Sequence, residues 1–148
     1  MKAVKPVDKF RAAVEYLTDY AGVRGAIIID SEGLVIIQSP GKGFEGELWA
    51  AKGLEMVYQL GKNLRGLTEP GCELLSFKTA GDWITIAKSS VFFLVVLADR
   101  KADDLLNVRI SRAVEMIAAH IKDKYPAILS ESEPAARKAE IKMEASNV

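Results

Sequence analysis

Apolar residues along the chain recur at helical spacing in some segments and run without interruption in others. Helical spacing comes first, in a segment that Asp8 can cap and Gly22 can end. Its apolar positions are Phe10, Ala13, Val14, Leu17 and Ala21. The pattern predicts an amphipathic helix that buries one face.

Two short segments rich in β-branched residues follow, at 25–29 and 34–37. The turn-forming residues 30–33, Asp-Ser-Glu-Gly, separate them and predict a β-hairpin. Neither segment alternates apolar with polar residues, which is typical of strands that are covered on both faces. The sequence therefore predicts helices on both sides of the sheet.

A second helix is predicted over residues 45–65, before the breakers Gly66, Pro70 and Gly71. At 3.6 residues per turn, its apolar positions sweep about 200° of the helix surface. A stripe of about 100° is enough to cover one sheet. The excess must contact another part of the chain or a second molecule. A second molecule is favoured because the chain offers few spare elements.

Three further strands are predicted at 73–79, 82–88 and 91–98, joined by turns short enough for hairpins. The last is continuously apolar and is predicted to be central, whereas 73–79 alternates and is predicted to be peripheral. A final helix opens at Asp103 or Asp104, buries one stripe and ends before Pro126. Residues 1–125 form the predicted domain, and the charged segment 126–148 is a predicted mobile tail.

A self-association surface is predicted from the second helix and the strand at 73–79. Small residues on one side of the helical arc let two helices approach closely, and larger apolar residues beside them supply buried area. The strand contains no proline, so its edge is able to accept a partner strand. A helix and a strand together are able to bury about 800 Å² per partner. The predicted dimer interface is Ala50, Leu54, Val57, Tyr58, Gly61, Leu75 and Phe77.

The length and the net charge of the chain limit the classes of partner that it is expected to bind. The 148 residues fit one main domain. Because 20 Lys+Arg balance 20 Asp+Glu, no long-range field attracts nucleic acid or an anionic membrane. The longest apolar run, 91–98, is shorter than the roughly 20 residues that cross a bilayer, and residues 1–9 lack the apolar centre of a secretory signal. We predict a cytoplasmic protein without nucleic-acid binding or membrane insertion.

The sequence contains few residues suited to catalysis or metal binding. Cys72 and His120 are the only residues of their types, and a metal site or a nucleophile with its base would need further partners. Gly41, Gly43 and Gly46 have the spacing of a dinucleotide fingerprint, but the hairpin before them is not the parallel unit to which that fingerprint belongs. We predict no catalytic residue, no cofactor, no metal and no enzymatic activity.

Two sequence blocks, in this order of elements, carry a family resemblance. The first is Gly-Ala-Ile-Ile-Ile-Asp at 25–30, followed by Glu-Gly-Leu-Val at 32–35. The second is Leu-Val-Val-Leu-Ala-Asp at 94–99, followed by Asn-Val-Arg at 107–109. Over about residues 8–125 the chain resembles the roadblock (dynein light chain) family, especially its prokaryotic members that regulate Ras-like GTPases.

The resemblance implies an α+β fold with a five-stranded antiparallel sheet in helix-hairpin-helix-meander-helix order. One helix would lie on one face and two on the other, with dimerisation through the long helix and the third strand. Family members regulate or scaffold Ras-like GTPases or link subunits of larger complexes. Some stimulate GTP hydrolysis, which needs no arginine from the regulator if the GTPase's own switch loops are repositioned. The motif positions do not identify Arg65, Arg100 or Arg109 as such an arginine.

The first functional hypothesis is therefore a non-enzymatic homodimeric module that binds and regulates or scaffolds a small Ras-like GTPase. One alternative is a small-molecule sensor with a pocket between sheet and helix. Others are a structural subunit of a larger complex and an enzyme that uses a nucleotide at residues 41–46.

Overall fold

The computed structural model describes residues 6–39, 44–69 and 71–124 and confirms the predicted order of elements. The helices are α1 (Pro6–Thr18), α2 (Gly46–Asn63) and α3 (Leu105–Lys124). The strands are β1 (Val23–Asp30), β2 (Val35–Gln38), β3 (Leu74–Lys78), β4 (Asp82–Ser89) and β5 (Phe92–Asp99). The predicted tail at 126–148 lies outside the described residues, so the division of the chain at residue 125 stays a prediction.

The strands form one antiparallel sheet in the order β2-β1-β5-β4-β3. β5 is central, as its continuous apolar run predicts, and its residues from Phe93 to Ala98 are all buried. β3 is an edge strand, as its alternating pattern predicts, and β2 forms the other edge. The fold is therefore an open α+β sheet with helices, as predicted.

Alternate residues of the central strands enter two separate cores. Ile28 and Leu94 pack with α1 and α3 on one face, whereas Ile27 and Val95 pack with α2 on the other. Successive side chains of a strand point to opposite faces, so an uninterrupted apolar run fills both cores. This confirms the predicted distribution of two helices on one face and one on the other.

The ends of α1 differ from the predicted limits. The helix begins at Pro6, before the predicted cap Asp8, because the fixed φ of proline suits the first position of a helix. It ends at Thr18, whose hydroxyl donates to the carbonyl of Val14 at 3.2 Å. Gly22 lies beyond the helix at a φ of 94°, in the left-handed region that glycine tolerates best.

Arg109 joins α3 to α1. Its guanidinium donates to the carbonyl oxygen of Tyr16 at 2.7 Å and lies 4.5 Å and 5.0 Å from the ring centroids of Tyr16 and Tyr20. A lysine keeps the charge but lacks the planar group that stacks on a ring and donates sideways. The arginine therefore fixes the packing of these two helices.

We expect Arg109→Lys to lower the free energy of unfolding by about 1 to 2 kcal/mol, because it weakens the hydrogen bond and both ring contacts. Urea denaturation monitored by circular dichroism measures this loss. Arg112→Lys, at an exposed position of the same helix, is the matched control. Equal unfolding midpoints for the two variants would contradict the proposed role of Arg109.

Candidate interaction site on helix α2

The face that helix α2 buries is narrower than the apolar arc predicted from its sequence. Its buried residues are Gly46, Ala50, Gly53 and Val57, which share one side of the helix. Gly53 allows a close approach to the sheet, since a β-carbon there would lie 3.4 Å from side-chain atoms of Ile86 and Val95. The helix makes its main contacts with β1, β2 and β5.

Two residues of the predicted dimer interface are already covered by their own sheet. Ala50 is 1% exposed and Val57 is 7% exposed in the single chain. Their burial therefore requires no second molecule. The predicted interface depends instead on the residues beside them, and it stays a prediction.

Leu54, Tyr58 and Gly61 lie together on one flank of α2. Leu54 is half-buried, Tyr58 is 56% exposed, and no atom lies within 4 Å of the position that a β-carbon of Gly61 would take. The phenol of Tyr58 donates to the carbonyl of Ser31 at 3.0 Å, which connects this flank to the β1–β2 turn. The flank therefore combines a fixed position with an exposed apolar surface.

This flank forms one wall of a groove of about 1020 Å³, which we call the α2 groove. The other walls come from the chain after α2 and from the ends of β4 and β5. Its uncharged side includes Leu54, Val57, Tyr58, Gly61, Cys72 and Phe93. Four charged residues also line it, namely Glu55, Lys62, Arg65 and Lys88.

The groove has an excess of positive charge. Glu55 lies 3.6 Å from Lys52 on the same helix, so its carboxylate is shared with a lysine that does not line the groove. Within the described residues, Lys62, Arg65 and Lys88 form no ion pair. An occupant of this groove would therefore meet an apolar surface with three unpaired cations around it.

The turn after α2 places further apolar residues beside the groove. α2 ends at Asn63, earlier than predicted, and the chain turns through Gly66 at a φ of 84°. Leu67 lies in this turn and is 80% exposed, between the groove-lining residues Gly66 and Thr68. The sequence analysis missed Leu67, because a single leucine in a turn has no periodicity to identify it.

The remaining predicted interface residues lie on β3. Leu75 and Phe77 are half-buried and pack at the margin of the α2 core. Neither lines the α2 groove. The structure therefore brings together Leu54, Val57, Tyr58 and Gly61, and it places the two β3 residues at a separate position on the same face of the sheet.

The residues considered for catalysis are not brought together. Cys72 is half-buried at the α2 core, whereas His120 is buried in the core on the opposite face, with its ring 5.4 Å from that of Phe10. No group of three His, Cys, Asp or Glu residues suitable for a metal occurs in the described part of the chain. Gly41 and Gly43 lie outside that part, and Gly46 opens α2 after an antiparallel hairpin.

Of the three arginines considered above as a possible arginine finger, two are occupied by contacts within the chain. Arg109 binds α1, and Arg100 donates to the carbonyl of Thr79 at 2.7 Å. Arg65 lies at the groove instead.

Within residues 6–39, 44–69 and 71–124, no helix has both the length and the apolar character needed to cross a membrane.

Comparison with solved structures identifies the fold. MglB of Myxococcus xanthus superposes with a TM-score of 0.72 at 19% identity, over 83% of this chain and 95% of that one. A roadblock/LC7 domain from Streptomyces avermitilis gives 0.65 at 17% identity, over 75% and 96%. The chain has the roadblock fold.

A further structure with this roadblock fold is described as MglB in a tetrameric arrangement. It has a TM-score of 0.73 at 16% identity and covers 83% of this chain and 95% of that one. Protein-family models give no match to the chain, and curated protein sequences give none either. The roadblock fold is thus established by shape, at sequence identities too low to transfer a function.

Proposed function

We propose that the chain is a homodimeric, non-enzymatic interaction module that binds a small Ras-like GTPase and regulates or scaffolds it. The observation that carries the proposal is the apolar α2 groove with the exposed Tyr58 and Leu67 beside it. Exposed apolar surface around a groove is typical of a site that another protein covers.

Self-association is supported by the position of this surface. The same face of the sheet carries Leu75 and Phe77 on β3, an edge strand whose outer backbone groups have no partner strand among the described residues. A helix flank and a strand edge on one face are able to pair with their own copies about a twofold axis. The tetrameric arrangement described for an MglB structure is a precedent for oligomers of this fold.

A GTPase is proposed as the partner because of the roadblock fold and the sequence blocks at 25–35 and 94–109. Such a module would act by binding one conformation of the switch loops more tightly than the other. Differential affinity is essential, since a ligand that binds both states equally shifts no equilibrium.

The test uses the Ras-like GTPases encoded in the same genome, each loaded with GDP or with a non-hydrolysable GTP analogue. Calorimetry is expected to show that one nucleotide state of one GTPase binds at least about tenfold more tightly than the other. GTP turnover with and without the module then separates regulation from scaffolding. Absence of binding to either state of every such GTPase would show that the proposal is wrong.

Leu67 provides a specific prediction for this binding. Because its side chain is 80% exposed, Leu67→Asp is expected to change the free energy of unfolding by less than about 0.5 kcal/mol. It should weaken GTPase binding by about tenfold or more, since it places a charge in an apolar interface. The control is Leu105→Asp on α3, also exposed but outside the α2 core. Equal affinities of the two variants would exclude Leu67 from the interface.

A small-molecule sensor is the second candidate, and the volume of the α2 groove favours it. Ligand pockets usually measure about 300 to 1,000 Å³, and the groove reaches the upper end of that range. A metabolite that occupies it should raise the melting temperature of the wild type. The same metabolite should have little effect on Gly61→Arg, in which the new side chain enters the groove.

A further inference from the structure

An open notch lies between α1 and α3, on the face of the sheet opposite to α2. We call it the α1–α3 notch. Its volume is about 580 Å³, and it is lined by Tyr16, Arg112, Glu115, Met116 and Ala119. Within the described residues, neither Arg112 nor Glu115 forms an ion pair. The notch therefore combines apolar side chains with two unpaired charges of opposite sign.

The outer side of α3 extends this notch with exposed apolar surface. Val108 and Met116 are both exposed. At 100° per residue, Val108, Arg112 and Ala119 lie within about 40° of one another on the helix surface. From Val108 to Ala119 the helix rises about 16 Å, which equals the length of a helix of about eleven residues. Exposed apolar surface beside a notch is typical of a site that another element covers.

The chain contains a segment of matching length and pattern after α3. Residues 135–145 read Ala-Ala-Arg-Lys-Ala-Glu-Ile-Lys-Met-Glu-Ala, most of which favour a helix, and Pro134 before them suits a first helical turn. Ala135, Ala139 and Met143 recur at every fourth position, and we call them the alanine stripe. An isolated helix of this length is marginal in water, so the segment needs a surface on which to pack.

The connection from α3 to this segment is long enough to reach the notch. α3 ends at Lys124, and its own outer side forms one wall of the notch. The ten residues 125–134 span at most about 35 Å when extended. Packed helices lie about 8 to 10 Å apart, so the chain is able to reverse and run antiparallel to α3. The segment stays on the face that already carries α1 and α3 and does not need to cross the sheet.

The charges of the segment favour this antiparallel direction. With the alanine stripe on the notch, Lys138 and Lys142 lie on one side of the helix, and Glu140 and Glu144 lie on the other. In a helix antiparallel to α3, the lysine side is next to α3, where Glu115 lies. In a parallel helix, the two glutamates would take that place and repel Glu115.

We propose that residues 135–145 form a helix that packs in the α1–α3 notch of their own chain, antiparallel to α3. The alanine stripe lies on the notch, and the two lysines lie beside Glu115. This helix leaves the exposed flank of α2 and the edge of β3 free for a second copy, because it packs on the opposite face and on the side of α3 that faces α1. The inference goes beyond the proposed function and requires neither a GTPase nor a dimer.

Disulfide trapping in the full-length protein tests the contact. Cys72→Ser removes the native thiol, and Ala135→Cys with Ala119→Cys places one thiol on each side of the proposed contact. The matched control replaces Ala119→Cys by Ala118→Cys, since Ala118 is also exposed but does not line the notch. In a glutathione redox buffer, the Ala119→Cys pair should form its intramolecular disulfide at least about tenfold faster than the control pair. Mass spectrometry on quenched samples measures both rates.

Charge exchange tests the orientation of the helix. Adding Glu115→Lys to the Ala119→Cys pair should slow its disulfide by at least about threefold, because the two lysines then face a like charge. Adding Lys138→Glu and Lys142→Glu as well should return the rate to within about twofold of the original. The same changes in the Ala118→Cys pair correct for any general effect on thiol reactivity. Glu115→Lys should leave the mass in solution unchanged, which separates this contact from the proposed dimer.

Three results would overturn the proposal. The first is an equal disulfide rate for the two pairs, which indicates random collisions of a tethered thiol. The second is a fast rate that the charge exchange does not change, which excludes the antiparallel helix beside Glu115. The third is a disulfide that links two chains rather than one, which indicates that a second copy covers the notch.

Discussion

Gly25→Ala is expected to lower the free energy of unfolding by about 2 to 3 kcal/mol, one of the largest effects of a single methyl group in this fold. A β-carbon at Gly25 would overlap the Cγ and Cδ2 atoms of the Phe44 ring. Phe44 is buried in the α2 core and precedes the first turn of α2. Its ring cannot keep this position over β1, so the start of α2 should shift with it.

A double-mutant cycle with Phe44→Ala tests this origin. Phe44→Ala alone should cost about 3 kcal/mol, and Gly25→Ala should add little once the ring is absent. Gly81→Ala is the control, since no atom lies within 4 Å of its added β-carbon. Guanidinium denaturation of the four proteins in the cycle measures the coupling. Additive losses would contradict the contact between Gly25 and Phe44.

Gly61→Arg is expected to dissociate the dimer while it stabilises the single chain. Nothing lies within 4 Å of the added β-carbon, and replacing glycine in a helix by arginine gains up to about 0.8 kcal/mol of helix propensity. In the proposed interface, the long charged side chain would occupy the space that a second copy needs. Self-association should weaken by about 100-fold or more, which sedimentation velocity measures as a shift in the monomer–dimer equilibrium.

The matched control for Gly61→Arg is Ala118→Arg, which adds the same side chain at an exposed position of α3. It should leave self-association unchanged. The opposite signs of the two effects of Gly61→Arg exclude misfolding as the cause of dissociation. A Gly61→Arg protein that is less stable as a monomer, or that remains a dimer, would contradict the open environment of Gly61 or its place in the interface.

The fold was predictable because each element has its own periodicity. Uninterrupted apolar runs such as 94–98 require a strand covered on both faces, and the structure fills both cores from them. The stripe of α3 requires a helix covered on one face. The predicted ends of α1 were wrong because Pro6 and Gly22 determine the local backbone geometry, which the pattern of apolar residues does not reveal.

The candidate site was predictable only in part. The sequence reveals that α2 has a wide apolar arc, but it does not tell which part of that arc the sheet covers. The structure shows that the sheet covers Ala50 and Val57 and that Tyr58 is exposed. The α2 groove also depends on Lys88 and Phe93, which lie far from α2 in sequence and reach it through the register of β4 and β5.

The central claim is that a second molecule covers the exposed flank of α2, and the mass of the wild-type protein in solution tests it most directly. Light scattering coupled to size exclusion, over a hundredfold range of concentration, should approach twice the 16.2 kDa chain mass, about 32 kDa, with dissociation on dilution. A constant mass near 16.2 kDa at every concentration, without any partner, would contradict the claim.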